Sequence, residues 1–152
     1  MPAQLAADLA LLTAHRSDLV ADRVRMTNRL RDVLTGVFPA LERSFDYSNH
    51  KGALVLLTGY QTPAAIRGRA RLTAWLANRS LRSADAVTAT ALEAAQAQQT
   101  ALPGKDVAAQ IIADLATQIL ALDDRLNRIG RQIRDTFRRH PQAERSSSQC
   151  PA

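Results

Sequence analysis

Residues 5–37 read LAADLALLTAHRSDLVADRVRMTNRLRDVLTGV, and the spacing of their apolar side chains decides the fold prediction. Ten positions alternate four and three residues apart, beginning at Leu5 and ending at Val37. That period of 3.5 residues is typical of the seam of a coiled coil, in which a long helix packs lengthwise on another helix. Two seam positions are Arg16 and Arg23, and a buried arginine needs a partner. The stretch therefore predicts a long helix over about residues 3–36 with two charged seam positions.

A second long helix is predicted over about residues 105–140. Its apolar residues again alternate three and four apart, and its second half carries six arginines. We predict that helices 3–36 and 105–140 pair antiparallel as a coiled coil, with a cluster of short helices between them. The same seams would also pair two copies of the chain, and the spacing does not choose between these arrangements. Residues 1–140 are thus predicted to be one helical region, and the polar residues 141–152 to be disordered.

The composition favours an all-α fold. Aromatic residues make up only 4% of the chain, and alanine and leucine supply most of its apolar content. Both are strong helix formers, whereas strands favour aromatic and β-branched residues. Short helices are therefore predicted over residues 53–57, 64–77 and 84–100, with Thr62 and Ser83 as N-caps of the last two.

The chain is strongly basic, with a formal net charge of +6 and a pI near 10.6. Arginine supplies all but two of its 20 basic residues. The planar guanidinium suits phosphate groups, and a basic surface attracts nucleic acid. A codon bias of GC-rich DNA would also load a surface with arginine, so charge alone leaves both explanations open. The predicted nucleic-acid-binding residues lie on the polar face of the first helix: Arg16, Arg23, Asn28, Arg29 and Arg31. Arg16 and Arg23 could instead form interhelical salt bridges.

The residues that usually carry catalysis are scattered. Cys150 is the only cysteine, which excludes a disulfide framework and a cysteine metal cluster. Asp18 and Asp22 lie one helical turn apart and could be read as a metal-binding pair, although ion pairs with nearby arginines are the commoner role. The sequence therefore predicts no catalytic residue, no metal site and no cofactor in this chain. No apolar run approaches the roughly 18 residues of a membrane span, and no secretion signal is visible, so a cytoplasmic location is expected.

Three stretches together resemble a known family. They are LLTAHRSDLVADRVRMTNRLRDVL at residues 11–34, ALVLLTGYQTPAAIRG at residues 53–68, and AAQIIADLATQILALDDRLNRIGRQIRDTFRRHPQAE at residues 108–144. In this order and spacing they resemble the central coiled-coil region of insertion-sequence transposases of the IS-one-ten family. The resemblance covers about residues 5–144.

That resemblance implies DNA transposition as the function of the whole protein. Family members carry an N-terminal resolvase-like domain with four acidic metal ligands, the DEDD set, for which Mg²⁺ is expected. They also carry a C-terminal domain with a serine nucleophile, and they recombine DNA with the help of a guide RNA. The last two acidic ligands of the family pattern lie upstream of the segment matching residue 11 onward, so Asp18 and Asp22 do not correspond to them. This chain alone is therefore predicted to be inactive, with DNA and a guide RNA as partners of the full enzyme and the seams as a route to homo-oligomers.

The tail suggests a further hypothesis. In the family, the segment after HPQAE resembles Ile-Ile-Glu-Ser-Met-Pro-Gly, whereas residues 146–151 read Ser-Ser-Ser-Gln-Cys-Pro. One codon series for the former, ATC-ATC-GAG-TCA-ATG-CCC-G, encodes the latter when it is read one base later. The chain is therefore interpreted as a frameshifted or truncated transposase fragment whose residual role is nucleic-acid binding or dimerisation. The alternative is a stand-alone helical coiled-coil interaction module.

Overall fold

A computed structural model describes residues 2–79, 81–98 and 100–139. Within those ranges every helix or strand element is an α-helix, which confirms the all-α prediction. The helices are α1 (Ala3–Val37), α2 (Pro39–Ser44), α3 (Lys51–Gly59), α4 (Pro63–Arg67), α5 (Leu72–Ala77), α6 (Ala84–Ala97) and α7 (Lys105–Arg138). The long helices α1 and α7 agree with the predictions for residues 3–36 and 105–140. The predicted disordered tail, 141–152, and the frameshift hypothesis that depends on it lie outside the described residues.

The prediction of one helix over residues 64–77 is wrong, because the structure has two helices there, α4 and α5. Gly68 closes α4, and its N–H donates to the Ala64 carbonyl at 2.9 Å. Glycine is among the weakest helix formers, so the chain leaves the helix at this residue and turns before α5 begins. The helix predicted for residues 84–100 is shorter than expected and ends at Ala97.

The two predicted N-caps have different outcomes. The Thr62 hydroxyl accepts a hydrogen bond from the Ala65 N–H at 3.2 Å, which confirms the cap of α4. Ser83 does precede α6, but its side chain makes no capping hydrogen bond, so that part of the prediction is wrong. The backbone of Ser83 is not extended (φ −95°, ψ 27°), whereas a capping residue usually has the extended conformation.

The chain forms two compact units, and α1 and α7 each contribute residues to both. Among the described residues, unit 1 comprises residues 2–23 and 122–139, and unit 2 comprises the residues between them. In unit 1 the buried side chains among the described residues all belong to the predicted seams: Leu5, Leu19, Leu122 and Ile129. This burial agrees with the spacing that predicted the seams, while the antiparallel coiled-coil geometry stays a prediction.

Unit 2 is built around the alanine-rich helix α6, which packs against α2, α3, α4 and α5. Its alanines at positions 84, 91, 94 and 95 are buried, so their small side chains let the neighbouring helices approach closely. The most apolar helix, α3, is buried at every position from 52 to 57. The short run at residues 53–57 is therefore part of a core helix, as predicted. In the part of the chain that the structure describes, no helix is both long and apolar enough to cross a membrane.

Replacing Tyr47 by phenylalanine should lower the free energy of unfolding by about 1–2 kcal/mol. The Tyr47 side chain is 1% exposed, and its hydroxyl donates to the Leu41 carbonyl at 2.6 Å. Burial also raises the pKa of the Tyr47 phenol above its ordinary value of 10.0. The folded state therefore holds this proton more tightly than the unfolded state, so wild-type stability should fall as the pH rises past 10. In urea unfolding at alkaline pH, the stability of Tyr47→Phe should therefore fall less with rising pH than that of the wild type.

Tyr60→Phe is the matched control. The Tyr60 ring is also buried, at 2% exposure, but its hydroxyl is buried without a hydrogen-bond partner among the described residues. Removing that hydroxyl should leave stability unchanged or raise it slightly, since an unpaired buried polar group is costly. Equal losses in both variants would contradict the role given to the Tyr47 hydrogen bond.

Candidate nucleic-acid interface

The seam residue Arg23 makes an interhelical ion pair within unit 1. Its Nε donates to Asp123 Oδ1 at 2.5 Å, and its Nη2 donates to Asp123 Oδ2 at 3.3 Å. This two-point geometry uses the planar fork of the guanidinium and both oxygens of the carboxylate. The two side chains are only 20% and 32% exposed. Of the two roles considered for Arg23, the geometry therefore favours the salt bridge.

The other predicted residues of α1 differ in their surroundings. Arg16, also on the seam, is exposed and makes no ion pair with any described residue. Arg31 is 52% exposed and binds the Glu42 carboxylate, with its Nε and Nη2 each 3.0 Å from Oε1. Asn28 and Arg29 are exposed. The set is also divided between the units, because Arg16 and Arg23 belong to unit 1 and the other three to unit 2.

A second set of basic residues lies in residues 47–84, which we call the cationic segment. It contains six basic residues and no acidic residue, while the remaining fourteen basic residues of the chain are matched by fourteen acidic ones. The whole formal net charge of +6 therefore belongs to this segment. All six side chains are exposed: Lys51, Arg67, Arg69, Arg71, Arg79 and Arg82.

Two aromatic rings lie among these arginines. The Arg79 guanidinium carbon is 3.5 Å from the centre of the Trp75 ring, and Arg79 Nη1 donates to the Trp75 carbonyl at 3.0 Å. Trp75 meets Tyr60 edge to face, with ring centres 4.8 Å apart. The Arg69 guanidinium carbon lies 5.4 Å from the centre of the Tyr60 ring. These two arginines and two rings form a connected row, which we call the arginine–aromatic stack.

One cation of the segment has a structural role. Arg67 Nη1 donates to the carbonyls of Ala95 and Gln98, at 2.6 and 2.9 Å, where α6 ends. These carbonyls would otherwise lack donors, because the last turn of a helix has no following N–H groups. Gln98 in turn donates through Nε2 to the carbonyl of Val37, the last residue of α1, at 2.9 Å. Arg67 therefore holds helix ends together within unit 2.

The described residues contain no group of three or more side chains that could hold a metal ion. Asp18 and Asp22 belong to no such group, and His50 serves as the N-cap of α3, its Nδ1 accepting from the Ala53 N–H at 3.2 Å. What the segment offers is exposed cations together with two arginine–ring contacts, which are the kinds of group that contact phosphates and bases. Helical periodicity does not reveal this segment, because it selects residues on the long helices. The signal in the sequence is the absence of acids between Asp46 and Asp85.

Comparison with known proteins finds relatives along most of the chain. A family model described as a transposase, of the DEDD IS110 type, matches residues 1–39. The chain is 57% identical over 145 residues to the insertion element IS116 uncharacterized 44.8 kDa protein of Streptomyces clavuligerus, covering 94% of this chain and 36% of that protein. It is 48% identical over 142 residues to the insertion element IS900 uncharacterized 42 kDa protein of Mycobacterium paratuberculosis, covering 92% and 36%. No solved structure matches the chain significantly.

A more distant relative extends the same pattern. The insertion element IS110 uncharacterized 43.6 kDa protein of Streptomyces coelicolor is 29% identical over 141 residues. In all three cases the match covers at least 91% of this chain but only about a third of the relative's length. The region matched is therefore a continuous part of a longer family protein, and it agrees with the resemblance found in the sequence. This chain belongs to the IS110 family of insertion-element transposases.

Proposed function

We propose that this chain is a nucleic-acid-binding helical region of an insertion-element transposase, and that its cationic segment makes the contact. The observation that carries the proposal is the segregation of charge: residues 47–84 hold six exposed cations and no acid. Acids placed among these cations would repel phosphates, and the segment has none. A surface of this kind binds the nucleic-acid backbone by releasing its counterions.

Within the whole transposase, this region would support DNA transposition by holding DNA or a guide RNA. The family resemblance supports both partners and a metal-dependent DEDD centre that uses Mg²⁺. The family resemblance places the acidic ligands and the serine nucleophile outside the matched region, so we expect catalysis to require parts of the family protein beyond the matched third. We expect no strand cleavage from the isolated chain with Mg²⁺. A function on DNA also supports a cytoplasmic location.

The apolar seams supply a second proposed role, which is pairing between copies of the chain. The heptad spacing of α1 and α7 supports it, since such seams drive helix association. Sedimentation of the purified chain over a range of concentrations tests this role. A monomer at every concentration would contradict it.

Removing two cations from the cationic segment should weaken nucleic-acid binding more than removing two from α1. The test variant is Arg71→Gln/Arg82→Gln, and the matched variant is Arg16→Gln/Arg29→Gln, which removes the same charge from the predicted α1 face. All four side chains are exposed, so neither variant should disturb the core. For duplex DNA, the slope of log affinity against log salt should fall by about 1.8 in the test variant, since each phosphate that is no longer neutralised accounts for about 0.9.

The two variants also decide between the two surfaces. A loss of slope in Arg16→Gln/Arg29→Gln alone would assign binding to the α1 face and overturn the role of the cationic segment. Equal, small losses in both would indicate an effect of net charge only, which also contradicts that role. An affinity of the wild-type chain for DNA and RNA that does not change with salt would contradict the proposed function as a whole.

A further inference from the structure

The stacked Arg79 has an unusually fixed position for an exposed arginine. Its guanidinium lies 3.5 Å from the Trp75 ring centre, and Nη1 is held by the Trp75 carbonyl at 3.0 Å. Trp75 is itself only partly exposed and is held by the edge-to-face contact with Tyr60. A free arginine side chain must lose rotamer freedom when it binds a ligand. In Arg79 much of that freedom is already lost.

The geometry leaves one kind of contact open. The Arg79 guanidinium carbon lies over the indole at 3.5 Å and Arg79 is exposed, so the face turned away from the indole is the one left for a ligand. Arg79 Nη1 already donates to the Trp75 carbonyl, so the guanidinium has fewer N–H groups left to bind a phosphate in the two-point geometry. A flat cationic face offered in this way matches the flat face of a nucleobase, and RNA-binding proteins stack unpaired bases on arginine planes.

Other cations of the segment are available for the phosphates of the strand that carries such a base. Arg71 and Arg82 are exposed in the same segment, and Arg69 lies over Tyr60 at the other end of the stack. These cations add positive charge within the same segment for the phosphates of a bound strand, as in single-strand binding surfaces that combine basic residues with aromatic rings. A base inside a duplex cannot reach the guanidinium face, because both of its own faces are already stacked.

We propose that the Arg79–Trp75 pair is a stacking site for one unpaired nucleobase. The proposal rests on the proposed function and names its substrate class, which is a single-stranded segment of DNA or RNA. The base would lie on the outer face of the guanidinium, so that indole, guanidinium and base form three layers.

Trp75 is the only tryptophan of the chain, so its fluorescence reports on this site directly. The probes are a short single-stranded oligonucleotide of mixed sequence and the duplex of the same sequence. The single strand should change the Trp75 emission, whereas the duplex should bind with little change. Arg79→Lys keeps the charge but loses the planar group, so its affinity for the single strand should fall about 10-fold while duplex affinity stays within about 2-fold.

Two further variants test whether the effect is specific to Arg79 and whether it depends on the ring beneath it. Arg43→Lys makes the same change at an exposed arginine of unit 2 outside the cationic segment, and it should alter neither affinity. Trp75→Phe, measured by anisotropy of labelled oligonucleotides, keeps a smaller ring under the guanidinium and should retain part of the single-strand preference. Circular dichroism shows whether each variant keeps its helices, and only folded variants are compared.

Different results would contradict the stacking site and the proposed nucleic-acid-binding function. If Arg79→Lys lowers single-strand and duplex affinity equally, or lowers neither, the stacking site is wrong. Salt-dependent duplex binding would then still support the proposed function. If the wild-type chain binds none of the probes, both the stacking site and the proposed function are overturned.

Discussion

Replacing Gly59 by alanine is expected to lower the free energy of unfolding of unit 2 by about 1–3 kcal/mol. A Cβ at this last residue of α3 would lie 2.3 Å from Cζ2 and 2.6 Å from Cη2 of Trp75, far inside van der Waals contact. Those atoms belong to a rigid ring and cannot give way singly. The indole would have to move away, which would disrupt its edge-to-face packing on Tyr60. Urea unfolding and a red shift of the Trp75 emission measure the two effects.

Gly36→Ala is the matched control, and its expected effect has the opposite sign. Gly36 lies within α1, and a Cβ added there would meet no atom within 4 Å. Alanine should therefore raise the free energy of unfolding by about 0.5–1 kcal/mol, since it restricts the unfolded chain and suits a helix. If Gly59→Ala were as stabilising as Gly36→Ala, the close packing of Trp75 on α3 would be refuted.

Replacing Arg67 by alanine should lower the free energy of unfolding by about 2 kcal/mol. The change removes both hydrogen bonds to the carbonyls of Ala95 and Gln98 and leaves the end of α6 without its donor. It also removes a positive charge from the C-terminal end of a helix, where cations are favourable. Thermal unfolding followed by circular dichroism at a fixed pH and salt concentration measures the loss.

Arg43→Ala provides the comparison for Arg67. Arg43 is an exposed arginine of unit 2 on the short helix α2. Its replacement should change stability by less than about 0.5 kcal/mol, as is usual for surface positions. Arg67→Lys should fall between the two, because the charge remains while the fork is lost. A loss in Arg67→Ala no larger than in Arg43→Ala would show that the helix-end hydrogen bonds contribute nothing.

The long helices were predictable because periodicity is a local property of the sequence. The alternating spacing from Leu5 to Val37 requires only that apolar residues share one face of a helix, and α1 follows it from Ala3 to Val37. The break at Gly68 was harder to predict. One glycine within a helical pattern lowers stability without deciding whether the helix ends, and the turn there depends on packing around α6.

The interface was less predictable, because partners of charged groups come from distant parts of the chain. Nothing near Arg23 in the sequence indicates Asp123, one hundred residues away, as its partner. Likewise, Arg67 and Arg79 lie in the same acid-free segment and have separate roles. One binds the carbonyls that end α6, and the other lies on Trp75.

The sequence by itself therefore determined the helical class, the extent of the two long helices, the family and the concentration of net charge in residues 47–84. The helical class, the long helices and the charge distribution depend on composition and on spacing along one chain, whereas the family follows from resemblance to other proteins. Only the tertiary structure decided which arginines are engaged in ion pairs and helix ends and which remain exposed beside aromatic rings. The physical reason is that hydrogen bonds and stacking act over a few ångströms. Which groups come that close depends on how the helices pack, and helix periodicity does not determine this.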